Sequence, residues 1–334
     1  MNALRTAALS LGILIAAGAA QAAGSGYHVV DRIAGPDGGW DYVRVDPHNN
    51  RVLVAHGSSV LAIDLATKAL TPGLAPGLML HDPLPVNNGA ELLVTNGGTA
   101  TAVFYDSKTG KAVATVKTGV GPDAAAFDPH SGLILVMDHV GGDVRLIDAK
   151  THKAEGAVPV GGDLEAGAVD GHGHAFVNIE NKNEIAVIDL AQRKVAARYP
   201  LAGCDGPTGL AYDAADNQLI AACDGATVVV AAATGKIVAT LPTGKGADGV
   251  AYDPRQRLAF VPAGRAGTLT VVSVGKGKAA IVDTVPTEVG ARTIALDERS
   301  GRLYLPSAAY GPRPAAGGRP PMLPGSVHVL VVGK

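Results

Sequence analysis

Residues 123–138 read DAAAFDPHSGLILVMD, in which a polar turn separates two short apolar runs. The same pattern occurs six more times along the chain, although the individual residues vary. The seven copies begin 40 to 44 residues apart, at Asp41, Asp82, Asp123, Glu165, Thr208, Asp248 and Arg292. A regular period of this length indicates a repeat architecture rather than two unrelated domains.

Each copy is followed by further short runs that are typical of β-strands. The third copy continues with VRLID at residues 144–148, and the fifth ends on IVATL at residues 237–241 after a T-G-K turn. Four short strands in 40 to 44 residues are the spacing of a β-propeller blade. The sequence therefore predicts an all-β protein, a seven-bladed β-propeller of four-stranded blades that forms one domain over residues 23–334.

The two ends of the chain predict how the ring closes. After Arg292 the last copy has only three strands, and the third of these covers residues 327–332. Residues 27–34 precede the first copy and are similar to the fourth strands of other copies. We therefore expect this N-terminal strand to complete the C-terminal blade, which removes an open sheet edge.

The repeat has several recurring features: a small-residue start, an A-x-D-P strand end, an R-L-Y-V-like second strand, an I-D third strand and a T-G-K turn. In this combination it resembles the YVTN or YncE-type seven-bladed propeller family over residues 27–334. The second copy departs from the pattern with Asn87-Asn88 in place of Asp-Pro. The resemblance implies the propeller fold, and it implies no single function because the family includes proteins of different roles.

The N-terminal residues have the pattern of a signal peptide. Arg5 is followed by an apolar run over residues 7–20, and Ala20-Gln21-Ala22 fits the small-x-small rule for cleavage. The sequence therefore predicts a signal peptide over residues 1–22 and a periplasmic or secreted mature protein. No second apolar stretch of about 20 residues follows, so we expect no membrane span.

The composition argues against some functions and is consistent with the propeller fold. A net charge of −2, with 17% charged residues, provides no cationic field for a nucleic-acid partner. The 44 glycines and 21 prolines supply the many turns that a propeller requires. The chain contains no G-x-S-x-G, H-E-x-x-H or C-x-x-C-H motif, and we therefore expect a non-catalytic protein.

The starts of the seven copies predict where a ligand would bind. In a propeller, the residues just before the first strand of each blade surround one mouth of the central channel. Five of these seven positions are carboxylates, Arg292 is the only basic one, and Trp40 and His81 precede two of the acids. We expect the ligand-binding residues of this channel mouth to be Trp40, Asp41, His81, Asp82, Asp123, Glu165, Asp248 and Arg292.

Three interpretations of the acidic channel mouth remain open. The acids would bind a cationic group or a hard ion such as Ca²⁺, which prefers oxygen ligands. A transition metal is the second option, with candidate ligands His56, His81, His139, Asp41 and Asp248. In the third, the acids accept hydrogen bonds from backbone N–H groups of neighbouring blades and have only a structural role.

Two further features lie near the channel mouth in the expected fold. Cys204 precedes the fifth copy and Cys223 ends its second strand, so we predict a disulfide between them, which an exported protein allows.

Residues 308–326 form a long insertion rich in proline and glycine, in the loop between the second and third strands of blade 7. Tyr310, Arg313 and Arg319 of this insertion would lie near the acidic mouth.

Together these observations predict an exported, monomeric binding or scaffold protein. It would use the channel mouth to hold a small ligand, a divalent cation or a protein partner. The alternative is a metal-assisted hydrolase of the lactonase kind, in which a central cation polarises a carbonyl group.

Overall fold

The computed structural model describes residues 24–314, 317–318 and 320–334, and it shows a ring of seven four-stranded antiparallel sheets. The first strands of successive blades contact one another around the whole ring. The structure therefore confirms the all-β, seven-bladed β-propeller predicted from the repeat. The predicted signal peptide, residues 1–22, lies outside the described residues.

The first three blades follow one another along the chain. Blade 1 comprises β2 (Val43–Asp46), β3 (Arg51–His56), β4 (Ser59–Asp64) and β5 (Leu70–Thr71). Blade 2 comprises β6 (Leu80–Val86), β7 (Glu91–Asn96), β8 (Thr101–Asp106) and β9 (Ala112–Lys117). Blade 3 comprises β10 (Pro122–Asp128), β11 (Leu133–Asp138), β12 (Asp143–Asp148) and β13 (Ala154–Pro159). A short 3₁₀-helix, Asn87–Gly89, forms the turn between β6 and β7.

The next three blades continue the same order. Blade 4 comprises β14 (Leu164–Val169), β15 (His174–Ile179), β16 (Glu184–Asp189) and β17 (Lys194–Pro200), with a 3₁₀-helix at Glu180–Lys182. Blade 5 comprises β18 (Leu210–Asp213), β19 (Gln218–Cys223), β20 (Ala226–Ala231) and β21 (Ile237–Pro242). Blade 6 comprises β22 (Ala251–Asp253), β23 (Leu258–Ala263), β24 (Thr268–Gly275) and β25 (Lys278–Pro286).

Blade 7 is assembled from both ends of the chain. It contains β26 (Ala295–Asp297), β27 (Arg302–Ser307), β28 (His328–Gly333) and the N-terminal β1 (His28–Ala34). β1 pairs antiparallel with β28, so that His28 lies opposite Gly333 and Ala34 lies opposite His328. This pairing confirms the predicted closure of the ring.

The alternation of side chains along each strand explains the core. In β11, Ile134 and Val136 pack into the cluster shared with blade 2, while Leu135 and Met137 pack into the cluster shared with blade 4. Successive side chains of a strand point to opposite faces, so a strand between two blades needs apolar residues at every position. This arrangement accounts for the high hydrophobic content of the chain, 47% of its residues.

Buried carboxylates at the far end of the first strands stabilise the turns. Asp128 is fully buried and accepts hydrogen bonds from the backbone N–H and hydroxyl of Ser131. Asp46 is likewise buried and accepts a hydrogen bond from Arg51 Nε at 3.0 Å. These acids have a structural role, and they lie at the opposite end of the strands from the channel mouth.

A disulfide joins Cys204 to Cys223, with the two Cα atoms 5.4 Å apart. Both residues are buried in the cluster between blades 4 and 5. The bond therefore connects the segment leading into β18 with the end of β19.

Among the residues that the structure describes, no helix has the length and apolar character needed to cross a bilayer.

The insertion at residues 308–326 folds back on itself in its described part. Gly311 donates a backbone hydrogen bond to Pro321, and Leu323 donates one to Ala309. None of the described residues of this insertion lines the cavity at the channel mouth. Arg319, which the sequence placed near the mouth, lies outside the described residues.

Candidate functional site

A cavity of about 480 Å³ opens at the channel mouth, where the first strands of the blades begin. We call it the mouth cavity. Four carboxylates, two histidines, one tyrosine and one arginine provide its polar lining: Asp41, Tyr42, His81, Asp123, His139, Glu165, Asp248 and Arg292. Met79, Val120 and Val140 provide an apolar part of the lining, and each of these three side chains is exposed.

The first histidine of the cavity lies between two carboxylates from neighbouring blades. His81 Nδ1 is 2.6 Å from Asp41 Oδ2 and 3.2 Å from Asp123 Oδ1. The backbone holds this arrangement, because the N–H of Tyr42 donates to the carbonyl of His81 at 3.1 Å. Blades 1, 2 and 3 thus each contribute one side chain to a single cluster, which we call the first donor set.

The second histidine makes a similar contact one blade further on. His139 Nδ1 is 3.1 Å from Glu165 Oε1 and 3.1 Å from the carbonyl oxygen of Leu164. His139 directly follows β11, and its backbone N–H donates to Gly121 at 2.8 Å. The hydrogen bond to Glu165 is the largest cause that raises the pKa of His139 to about 9.

Asp123 connects the two histidines. Asp41, His81 and Asp123 each offer a donor atom within 4.8 Å of the others, and so do Asp123, His139 and Glu165. We call the latter group the second donor set. The five side chains therefore alternate between carboxylate and imidazole across blades 1 to 4, and Asp123 belongs to both sets.

Asp123 and Glu165 are held in an unfavourable environment for negative charge. Burial, followed by repulsion from Asp41, Glu165 and Asp248, raises the pKa of Asp123 well above its ordinary value. Burial is also the main cause of the raised pKa of Glu165, although its contact with His139 acts in the opposite direction. A cation at this position would offset the repulsion and favour the ionised carboxylates.

β-Bulges direct these side chains into the cavity. The pairing register shifts between Leu80 and Pro83 in blade 2, between Pro122 and Ala125 in blade 3 and between Leu164 and Gly167 in blade 4. The pairs that the first strands of the other four blades make with their second strands show no such shift. His81, Asp123 and Glu165 lie within the three irregular segments, and bulges are known to redirect side chains in this way.

Blades 6 and 7 contribute an ion pair to the other side of the cavity. Arg292 Nε donates to Asp248 Oδ2 at 2.7 Å, and a terminal nitrogen of Arg292 donates to the carbonyl of Trp40 at 2.9 Å. The guanidinium also lies over the ring of Trp40, 5.8 Å from its centre. Burial raises the pKa of Asp248 to about 7 despite the opposing charge of Arg292.

Three residues named from the sequence lie outside the cavity lining. Asp82 is fully buried and accepts a hydrogen bond at 2.8 Å from Arg44 Nε. His56 Nε2 contacts the carbonyl of Pro36 at 3.0 Å and is not part of either donor set. Trp40 contacts Arg292 through its ring and its carbonyl oxygen and does not line the cavity.

The structure also adds residues that the repeat pattern did not indicate. Tyr42 lines the cavity, and burial is the main cause that raises its pKa well above 10, so its hydroxyl stays protonated. Val120 and Val140 form an exposed apolar edge. Both are isolated apolar residues in glycine-rich turns, and that unusual position was the available signal in the sequence.

Comparison with known proteins supports the fold. No protein-family model matches the chain, and no curated protein matches it. A chain of a structure titled "Crystal Structure of Mitotic Checkpoint Complex" is similar with a TM-score of 0.74 and 14% identity, covering 90% of this chain and 95% of that one. A chain of "Kuenenia stuttgartiensis Hydrazine Synthase" is similar with a TM-score of 0.69 and 16% identity, covering 84% of this chain and 95% of that one. At such low identity these similarities show a shared β-propeller architecture and no shared activity.

Proposed function

We propose that this protein is an exported propeller of the YVTN or YncE type that binds a divalent transition-metal ion in the mouth cavity. The observation that carries the proposal is the convergence of two imidazole nitrogens and three carboxylates at one side of the cavity. The signal-peptide pattern of residues 1–22 and the Cys204–Cys223 disulfide support export.

The donor types favour a transition metal over calcium. Ca²⁺ prefers six to eight oxygen ligands, whereas imidazole nitrogen suits Zn²⁺, Ni²⁺, Cu²⁺ and iron. His81 and His139 each direct Nδ1 towards carboxylates, and a metal ion would replace the Nδ1 proton at this position. Metal binding would therefore release protons from the cluster.

A titration of tag-free, metal-depleted protein tests this proposal. We expect Zn²⁺ or Co²⁺ to bind with a dissociation constant in the micromolar range or below, and Ca²⁺ to bind at least tenfold more weakly. His81→Ala should weaken binding at least tenfold. His130→Ala is the matched control, because His130 is exposed in the turn at the opposite end of β10. Equal binding by both variants, or no binding by the wild type, would contradict the proposal.

One observation favours a second function, a metal-assisted hydrolase. Each donor set contains three side chains, and catalytic metal sites commonly combine three protein ligands with an open position for water or substrate. The mouth cavity provides space beside the donors for a small substrate. Metal-loaded and metal-depleted protein should then differ in lactone hydrolysis, and equal rates for the two would leave binding as the function.

A further inference from the structure

We infer that the mouth cavity binds two divalent metal ions side by side, with Asp123 as a shared ligand. This inference rests on the proposed function and makes it more specific. The first ion would bind to Asp41, His81 and Asp123. The second would bind to Asp123, His139 and Glu165.

The grouping of the donor atoms carries the inference. First-row divalent ions bind nitrogen and oxygen at about 2.0–2.2 Å, so two donors of one ion lie at most about 4.4 Å apart. Within each set the donor atoms lie within 4.8 Å of one another. Small side-chain movements would therefore bring all three donors of a set within bonding distance of one ion. The five residues form two such groups rather than one, so a single ion would leave one histidine–carboxylate pair without a metal.

Asp123 is suited to the shared role because it lies between the two histidines and has two carboxylate oxygens. One of them, Oδ1, is already 3.2 Å from His81 Nδ1. In two-metal sites the ions are commonly about 3.5–4 Å apart. Paired metals bound by carboxylates and histidines are also known in other folds. The position of Asp123 on blade 3, between His81 of blade 2 and Glu165 of blade 4, fits that arrangement.

The charges of the cavity permit two ions. In a metal-bound state with four ionised carboxylates, neutral histidines and the charged Arg292, the lining of the cavity sums to −3. One divalent ion changes this sum to −1, and two change it to +1. Charge alone therefore does not decide the number of ions, and the number follows from the two donor sets.

The two sets differ in what a metal ion must displace. At the first set, His81 Nδ1 contacts the carboxylates of Asp41 and Asp123. At the second set, His139 Nδ1 also contacts the carbonyl of Leu164 at 3.1 Å, and an ion must compete with this additional hydrogen bond. We therefore expect the first set to bind its ion more tightly.

The experiment is a measurement of metal stoichiometry on tag-free, metal-depleted protein loaded with Zn²⁺ and dialysed. Elemental analysis should give two zinc ions per chain, and calorimetry should show two binding steps. His81→Ala and His139→Ala should each reduce the number to one, while His130→Ala keeps two. Asp123→Asn should lose at least one ion, because a neutral amide is a poor bridging ligand.

The possible results separate the two claims. One zinc ion in the wild type would overturn the two-ion inference and leave the proposed function intact, whereas no bound zinc would contradict both. Two ions that persist in both His81→Ala and His139→Ala would place the metals elsewhere and also overturn it. If a variant fails to fold, electron paramagnetic resonance of wild-type protein loaded with Mn²⁺ replaces it. Coupled spins support two adjacent ions, and a spectrum of isolated ions overturns the inference.

Discussion

His81 Nδ1 lies 2.6 Å from Asp41 Oδ2, and these two residues belong to different blades of the propeller. The contact spans the boundary between blades 1 and 2 at the channel mouth, next to a β-bulge in β6. It brings an imidazole nitrogen and a carboxylate to one wall of an open cavity, where Asp123 approaches the same nitrogen. The first donor set of the proposed metal site depends on this geometry.

The position of the His81 ring depends on the absence of a side chain at residue 97. A Cβ atom at Gly97 would lie 2.6 Å from His81 Nε2, so Gly97→Ala must displace the ring. We expect this variant to weaken metal binding at the first donor set about tenfold while leaving the second set unchanged. Calorimetry on each variant measures the effect. Gly39→Ala is the control, because its Cβ would meet no atom within 4 Å. Equal affinities of the two variants would contradict this role of Gly97.

The pair formed by Arg44 and Asp82 is predicted to matter for stability. Asp82 is fully buried, so Arg44→Ala leaves a carboxylate without its charged partner and should cost about 3 kcal/mol of unfolding free energy. Adding Asp82→Asn to Arg44→Ala removes the buried charge and should recover part of the loss. Urea denaturation measures both values. Lys68→Ala breaks the exposed contact with Asp31 and should cost less than about 1 kcal/mol. A cost for Arg44→Ala no larger than that for Lys68→Ala would refute the prediction.

Asp248 should give the folding equilibrium a distinct pH dependence. Burial raises its pKa from 3.8 to about 7, so between pH 4 and 7 the folded protein holds a proton that the unfolded chain has released. The stability contributed by this group therefore falls as the pH rises through that window. The stability of Asp248→Asn relative to wild type should therefore increase by on the order of 2 kcal/mol between pH 4 and pH 8. This is less than the full value of about 1.4 kcal/mol per unit of pKa shift, because the side chain of Asp248 is partly exposed and solvent screens its charge.

Asp64 provides a control, because its pKa is shifted in the opposite direction from that of Asp248. Backbone hydrogen bonding from Thr67 lowers the pKa of Asp64, the last residue of β4. Its contribution to stability is present above pH 4 and is lost as the pH falls below that value. Asp64→Asn should therefore show no trend relative to wild type between pH 4 and 8. Urea titrations across this range measure both variants, and a flat difference for Asp248→Asn would contradict the burial of its charge.

The N-terminal strand should stabilise the whole ring. β1 is the fourth strand of blade 7 and pairs along its length with β28. Deleting residues 27–34 exposes the edge of β28 and removes the closure between the chain ends, so we expect the melting temperature to fall by more than 10 °C. Differential scanning calorimetry measures the change. An unchanged melting temperature would refute the closure as a source of stability, and deletion of residues 1–22 provides the control.

The fold could be predicted from the sequence because every blade repeats the same local pattern. Apolar runs at a period of 40 to 44 residues specify strands buried between blades, and the unpaired strand at residues 27–34 specifies the closure. Both can be recognised from the pattern of strands along the chain, without knowledge of side-chain contacts.

The candidate site could be predicted only in part. The seven start positions indicated the channel mouth, but they did not show which side chains enter the cavity. His81 and Asp82 are neighbours in sequence, yet His81 lines the cavity and Asp82 is buried against Arg44. That difference arises from the β-bulge and from the alternation of side chains along β6, which the period of the repeat does not contain.

The most direct test of the proposed metal site is an anomalous-diffraction map at the zinc edge, from crystals of the zinc-loaded protein. We predict two peaks about 3.5–4 Å apart in the mouth cavity, one about 2.1 Å from His81 Nδ1 and the other at the same distance from His139 Nδ1. A map with no peak within bonding distance of either histidine would contradict metal binding at the channel mouth.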